Sequence, residues 1–257
     1  MSVQTARRSR TAIATRPPIT SSVRRRWVLP GRAAAPGTAA ILQVRADAPG
    51  GLMLDALAAR GFTPATVRVD RDEPLPDPAS LKFAVLLGTA NSVVYNRASR
   101  WQHTALEWLA AADRAGTPVL GLGSGAHTLA IALGGGVEPA PRPRRGWIRV
   151  QTAVPDMIAR GPWLAWNEGV IRLPEAASVL AQDRVGPQAF RVGRHLGVQF
   201  HPEVKPETVA GWVGFRRGEP LDGQAVLEAT SRERVAAAAA ASRLFSAFID
   251  SAVRRRP

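Results

Sequence analysis

The most informative absence in this 257-residue sequence is cysteine, which occurs nowhere. Without a thiol, the chain forms no disulfide, binds no metal through thiolate and carries no cysteine nucleophile. Lysine is almost absent as well, because only Lys82 and Lys205 occur among 34 basic residues. No continuous apolar run approaches the roughly 20 residues that cross a bilayer. We therefore expect a cytoplasmic protein that makes no use of a membrane.

Acidic residues are missing from the N-terminal region. Residues 1–45 contain nine arginines, and the first acidic residue is Asp47. Together with the C-terminal arginines, this region supplies most of the formal net charge of +14. We expect residues 1–37 to form a basic disordered tail that attracts polyanions weakly and without specificity. A targeting peptide and a start codon assigned too far upstream are alternatives that the same composition allows.

Strand and helix patterns alternate from residue 38 onward. The apolar runs "KFAVLLGTA" and "TPVLGLG" are typical of parallel strands covered on both faces, and "WQHTALEWLAAADRAG" between them has helical spacing. This alternation predicts an α/β fold with a central, mostly parallel sheet flanked by helices. Its functional site should lie at the carboxyl ends of the strands. We expect one domain over residues 38–218, then an alanine-rich helix and a basic tail over residues 219–257.

The stretch "VLGLGSGAHTLAIALGG" at residues 119–135 predicts a buried strand, a tight turn and a helix. Gly121, Gly123 and Ala126 match a G-x-G-x-x-A dinucleotide-binding fingerprint, but no acidic residue stands about 20 residues further on. A serine nucleophile elbow centred on Ser124 would have the bulky Leu122 as a flank, where a small residue is needed. Centred on Gly123, the turn has Gly121 and Gly125 as small flanks. The spacing therefore favours Gly123 as the apex.

Four segments resemble class I glutamine amidotransferase domains, the kind attached to guanylate synthetase and its stand-alone bacterial relatives. These segments are "AVLLGTANSVVYN", "PVLGLGSGAHTLAIALGGGVEPAPRPRRGW", "WLAWNEGVIRLP" and "AFRVGRHLGVQFHPEVKPETVAGW". They resemble the family's oxyanion strand, its nucleophile turn, a Trp-His-x-Asp segment and its histidine–glutamate region, in family order across residues 39–213. The resemblance implies a three-layer, flavodoxin-like fold, a role in biosynthesis and no cofactor.

The catalytic residues follow from that resemblance. In the family, a cysteine thiolate attacks the side-chain amide of glutamine, and a histidine oriented by a glutamate moves the protons. His201 and Glu203 match that pair. The nucleophile position falls on Gly123, which has no side chain. The "HPE" turn that contains the pair has a second interpretation, since it also serves to pack the last strand against the next helix.

The resemblance also implies a set of substrate-binding positions around the turn. These are Gly88, Thr89, Ser124, Gly125, His127 and Asn167. Three of them depart from the family pattern: Thr89 replaces the second glycine of a Gly-Gly pair, His127 replaces a glutamine, and Asn167 replaces the histidine of the Trp-His-x-Asp segment. We expect no metal site, because His127 and His201 have no identifiable third ligand.

Two functions remain open. The first is an amidotransferase-like protein without glutaminase activity, serving as a binding, regulatory or partner subunit for a synthetase or another biosynthetic enzyme, with a small-molecule ligand in its pocket. The second is an enzyme of altered chemistry that uses His201 and Glu203 with Ser124 or His127.

Overall fold

The computed structural model describes residues 38–89, 99–215 and 221–254. The N-terminal arginine-rich segment, the last arginines of the chain and part of the predicted oxyanion segment lie outside these ranges. The domain boundary expected near residue 218 also falls outside them. Predictions that concern those residues stay predictions.

The described ranges form ten strands and five α-helices, with short 3₁₀ turns at Val69–Arg71 and Pro78–Ser80. The strands are β1 (Thr38–Gln43), β2 (Ala65–Arg68), β3 (Leu81–Leu86), β4 (Val119–Leu122), β5 (Gly136–Ile148), β6 (Gln151–Thr152), β7 (Trp163–Arg172), β8 (Ser178–Asp183), β9 (Gly186–Val192) and β10 (His195–Val198). The helices are α1 (Gly51–Ala58), α2 (Arg100–Ala115), α3 (Ser124–Ala132), α4 (Pro206–Phe215) and α5 (Gly223–Val253).

Eight strands make one sheet in the order β2-β1-β3-β4-β10-β9-β8-β6. The pairs from β2 to β10 are parallel, and the three pairs that join β10, β9, β8 and β6 are antiparallel. The mostly parallel α/β sheet predicted from the sequence is confirmed. Because β4 and β10 are parallel neighbours, the segments that follow their carboxyl ends meet at one edge of the sheet.

The sheet is covered on both faces. Consecutive residues of β1, whose side chains point to opposite faces, show this directly: Ile41 belongs to one buried cluster and Leu42 to another. The first cluster includes side chains of α1 and α5, and the second includes side chains of α2 and α3. Burial on both faces explains why the central strands are near-continuous apolar runs in the sequence.

Helix α5 is the described helix with the length and composition to cross a bilayer. Apolar side chains of its C-terminal half are packed on the sheet: Phe245, Phe248 and Ile249 are buried, and the Phe248 ring contacts Phe83 of β3 edge-on at 5.7 Å between centroids. This packing is that of a core helix. The sequence expectation of no membrane-length segment overlooked α5, because its charged residues interrupt every continuous apolar run.

Strand β5 was not anticipated over its full length, because it contains Pro139, Pro141 and Pro143. Proline cannot donate a backbone hydrogen bond, so it is tolerated in strands only at an edge or a bulge. Within the part of the chain that the structure describes, β5 pairs with β7 alone, and its register shifts between Pro139 and Arg144. Both conditions for proline are therefore met.

The turn between β4 and α3 brings backbone atoms too close together for side chains. An ideal Cβ on Gly125 would lie 2.2 Å from the carbonyl oxygen of Leu86, and one on Gly121 would lie 2.7 Å from the carbonyl oxygen of Gly125. Real Cβ atoms do not approach backbone atoms this closely. The small residues on both sides of the turn are thus required by the contact between α3 and strands β3 and β4.

We predict that Gly125→Ala lowers the free energy of unfolding by about 2 kcal/mol, because the added methyl group overpacks a backbone contact. Chemical denaturation of the purified variant measures this. The matched control is Gly211→Ala in helix α4, where an added Cβ meets nothing within 4 Å. That control should gain up to about 1 kcal/mol from the higher helix propensity of alanine. Equal stabilities for the two variants would contradict the contact.

Candidate functional site

Gly123 forms the apex of the turn between β4 and α3. Its dihedral angles are φ 55° and ψ −122°, a backbone conformation that residues other than glycine rarely adopt. Its N–H donates to the carbonyl oxygen of Val198 at 2.9 Å, which ties the apex to the end of β10. The strand, turn and helix predicted over residues 119–135 have this geometry, with Gly123 at the sharp position.

His201 and Glu203 lie directly beyond the end of β10 and contact each other. His201 Nδ1 and Glu203 Oε1 are 2.7 Å apart, and both side chains are almost completely buried. The backbone holds the pair in place: the His201 N–H donates to Leu164 O at 2.8 Å, and the N–H of Leu52 donates to Glu203 O at 2.8 Å. Because the carboxylate accepts from Nδ1–H, a neutral His201 ring has its lone pair on Nε2.

The His201 ring occupies the space in front of Gly123. An ideal Cβ on Gly123 would lie 2.1 Å from His201 Cε1 and 2.6 Å from Nε2. The ring also contacts Trp212 edge-on, with the centroids 4.9 Å apart. The histidine is therefore fixed by Glu203 and Trp212 in a position that no side chain at the apex could share.

Thr89 and Ser124 form a second contact at the turn. The Thr89 N–H donates to Ser124 Oγ at 2.8 Å, and both residues are buried. Gly88 lies against the same turn, where an ideal Cβ would be 2.8 Å from Leu122 O. Among the described residues, neither Ser124 nor any other group makes a hydrogen bond with His201 Nε2. The serine hydroxyl therefore bonds the β3 loop instead of the histidine.

His127 and Asn167 are joined by a residue that sequence reasoning did not single out, Gln199. His127 Nε2 lies 3.3 Å from Gln199 Oε1, and Gln199 Nε2 donates to Asn167 Oδ1 at 3.4 Å. All three side chains are buried. Burial lowers the pKa of His127 to about 4. The hydrogen bond with Gln199 raises this pKa, and the nearby His201 lowers it further. His127 is therefore neutral at physiological pH. Gln199 could have been found from the sequence, because it belongs to the string "GVQFHPE" that carries the family resemblance.

Two partly buried ion pairs lie near Asn167 on the β5–β7 ribbon. Arg145 pairs with Glu168, donates to the carbonyl oxygen of Asn167 at 3.0 Å and lies over the Trp166 ring at 5.2 Å from its centroid. Arg144 pairs with Asp183 at the end of β8. Sequence reasoning missed both arginines, since "PRPRRGW" does not show which acidic residues they meet.

The predicted site residues therefore fall into one region of the fold. Gly88, Thr89, Gly123, Ser124 and Gly125 form the turn and its neighbouring loop, with His201 and Glu203 in front of it and His127 and Asn167 linked through Gln199. Among the described residues, no group of three His, Cys, Asp or Glu side chains is arranged to hold a metal ion.

No protein-family model matches the chain. Among curated proteins, the chain is 37% identical over 97 residues to a glutamine-hydrolyzing GMP synthase subunit of Ignicoccus hospitalis, covering 34% of this chain and 52% of that relative. It is 34% identical over 152 residues to the glutamine-hydrolyzing GMP synthase of Aeropyrum pernix, covering 56% of this chain and 28% of that relative. The chain thus spans about half of the first relative's length and less of the second.

Solved structures match over most of the chain. A glutamine amidotransferase from Methylobacillus flagellatus superposes with a TM-score of 0.77 over 87% of this chain and 98% of that chain, at 21% identity. One from Thermotoga maritima superposes with a TM-score of 0.74 over 84% of this chain and 100% of that chain, at 20% identity. The chain therefore has the α/β fold of these glutamine amidotransferases. The amidotransferase fold and the resemblance of the four sequence segments thus agree.

We predict that Gly123→Ala lowers the free energy of unfolding by more than the strain of a left-handed backbone conformation alone would. The added Cβ must displace the His201 ring, so the free energy of unfolding should fall by about 3 kcal/mol. The control is Gly193→Ala, with a φ of 54° and nothing within 4 Å of its Cβ, which should lose about 1 kcal/mol. Chemical denaturation compares the two, and equal losses would show that the ring moves aside freely.

We also predict that His127 makes the domain sensitive to acid. Its pKa is about 4 in the folded state against 6.5 for the free group, so only the unfolded chain gains a proton between these values. Stability should therefore fall by about 3 kcal/mol as pH drops from 6.5 to 4, and no change from this group is expected above pH 6.5.

Denaturation at several pH values tests this acid sensitivity. His127→Gln should have a shallower decline than the wild type, and His103→Gln, which changes an exposed histidine, should decline as the wild type does. Identical declines for all three proteins would refute the role of His127.

Proposed function

We propose that this amidotransferase domain binds a small molecule without hydrolysing glutamine, and that it serves as a binding, regulatory or partner subunit in a biosynthetic pathway. By family resemblance, the nucleophile position is Gly123, and the chain contains no cysteine that could replace it. Without a nucleophile, the covalent intermediate of the family reaction has no atom on which to form.

One observation carries this proposal. The space that a nucleophile side chain would need at Gly123 is already filled by the His201 ring, 2.1 Å from an ideal Cβ. A site that had lost only its thiol would leave that space open beside the histidine. Here the His201 ring, held by Glu203, packs directly against the apex, which only a glycine allows.

The Thr89–Ser124 contact supports the same conclusion. By resemblance, the segment that contains Thr89 supplies backbone donors to the oxyanion of the family reaction. In this chain the Thr89 N–H is already bound to Ser124 Oγ at 2.8 Å. An oxyanion would have to displace that hydroxyl before it could use this donor, so one source of transition-state stabilisation is weakened.

A small-molecule ligand is supported by polar atoms that the protein leaves without partners. His201 Nε2 and Glu203 Oε2 are buried and make no hydrogen bond with any described residue. Leaving a buried polar atom unpaired costs about 1–3 kcal/mol, so a ligand atom that pairs with either one would be stabilised. Nε2 is an acceptor in the neutral ring, and a ligand with an N–H or O–H donor would satisfy it.

The altered-chemistry alternative needs Ser124 or His127 to take over the missing role. Ser124 Oγ is bound to the β3 loop, and the structure gives it no hydrogen bond with His201. His127, with a pKa of about 4, is a weak base at neutral pH. The geometry therefore favours a binding function over either substitute.

A partner role draws on the name of one relative. The relative from Ignicoccus hospitalis is named as one subunit of a GMP synthase, and so as part of an assembly. By analogy, we propose that this chain works alongside a synthetase or another biosynthetic enzyme.

We predict that the purified chain releases no ammonia from L-glutamine above the protein-free background, because no thioester can form. A coupled ammonia assay measures this, with the glutamine-hydrolyzing relative from Ignicoccus hospitalis as the positive control. A thiol alkylator that mimics glutamine should label the control and leave this chain unmodified by mass spectrometry. Ammonia release by the wild type that is lost in His201→Ala would overturn the proposal, and Ser124→Ala would then test the substitute nucleophile.

A further inference from the structure

A small cavity lies at the far end of β10 from His201, between the β9–β10 turn and the end of α5. It encloses about 60 Å³, and its wall includes Arg191, Arg194 and Ser251 over an apolar floor that contains Phe248. We call it the arginine cavity. Of the residues that the structure describes, no acidic one lines it. It is separate from the amidotransferase site, and no resemblance or relative assigns it a role.

Arg191 has a charge that no described side chain neutralises. It is exposed, and the one hydrogen bond that its guanidinium makes to a described residue goes to the sulfur of Met157 at 3.6 Å. Thioether sulfur is a weak, uncharged acceptor. Arg144 and Arg145, by contrast, each have a carboxylate partner. Arg191 therefore keeps its full capacity to bind an anion.

Arg194 offsets the negative end of the α5 dipole. Its Nη2 donates to Ala252 O at 2.8 Å and to the carbonyl oxygens of Ser251 and Arg254 at 3.4 Å. The last carbonyls of a helix carry a partial negative charge that would otherwise repel an anion. Only Nη2 makes hydrogen bonds with described residues, so the other nitrogens of this guanidinium remain free to donate.

We propose that the arginine cavity binds a phosphate group. Guanidinium groups present paired N–H donors that match the oxygens of phosphate, and two of them here line a space without a described acidic residue. The volume is enough for a few water molecules, and so for one tetrahedral oxyanion. Ser251, whose side chain carries a hydroxyl donor, also lines the cavity.

Nuclear magnetic resonance of the full ¹⁵N-labelled chain tests this, with inorganic phosphate as the probe and sodium chloride adjusted to keep ionic strength constant. We expect saturable shifts of the Gly193 and Ser251 amide signals. Arg191→Gln should raise the dissociation constant from these signals about fivefold, as expected for loss of one solvent-exposed charge contact. Arg184→Gln is the matched control: it removes the same charge from an exposed arginine in the β8–β9 turn, at the opposite end of β9, and should bind as the wild type does.

The arms of this experiment separate the possible results. Equal weakening by both variants, or phosphate binding that leaves Gly193 and Ser251 unshifted, would mean non-specific attraction to the arginine-rich segments and would overturn the proposal. Absence of saturable binding by the wild type would overturn it too. Titration with glycerol phosphate identifies the source: tighter binding than inorganic phosphate indicates the phosphate group of a larger molecule, and weaker binding indicates the free ion.

Discussion

Steric exclusion between the apex of the β4–α3 turn and the His201 ring is the constraint on which the site depends. A glycine at the apex lets the imidazole approach until an ideal Cβ would be only 2.1 Å from it. Glu203 and Trp212 then hold the ring there, and the backbone of β7 holds the residue that carries it. The position of the imidazole thus depends on having a glycine at the apex.

The side chains around the His201–Glu203 pair are neutral, whereas those at the periphery of the site are charged. His127, Gln199 and Asn167 form a buried row linked by hydrogen bonds, and burial keeps the histidine uncharged. Formal charges are placed further out, where Arg145 meets Glu168. Isolated buried charges are costly, whereas burying a neutral amide or imidazole costs less free energy. A neutral interior of this kind accords with the ligand-binding function proposed above.

The sequence predicted the parts of the fold that depend on local patterns. A strand buried on both faces and a tight turn each restrict the residue types at a few neighbouring positions. These structures were therefore predictable from short segments: the apolar run of β4, the glycines around Gly123 and the string "GVQFHPE". The parts that were missed depend on pairing across long separations. Arg145 and Glu168 are 23 residues apart, and Gln199 joins side chains 72 and 32 residues away. The proline-containing part of strand β5 was missed because proline has a low propensity for strands. It is the pairing with β7 that makes β5 a strand.

Those prolines have a consequence for how the molecule meets its neighbours. Pro139, Pro141 and Pro143 stand at every second position, and proline has no backbone N–H. This part of β5 therefore offers few N–H donors to a passing strand. Open sheet edges are templates on which other chains add, and proline is one of the residues that blocks such addition. The ribbon that carries Asn167 toward the site is thereby protected against edge-to-edge aggregation.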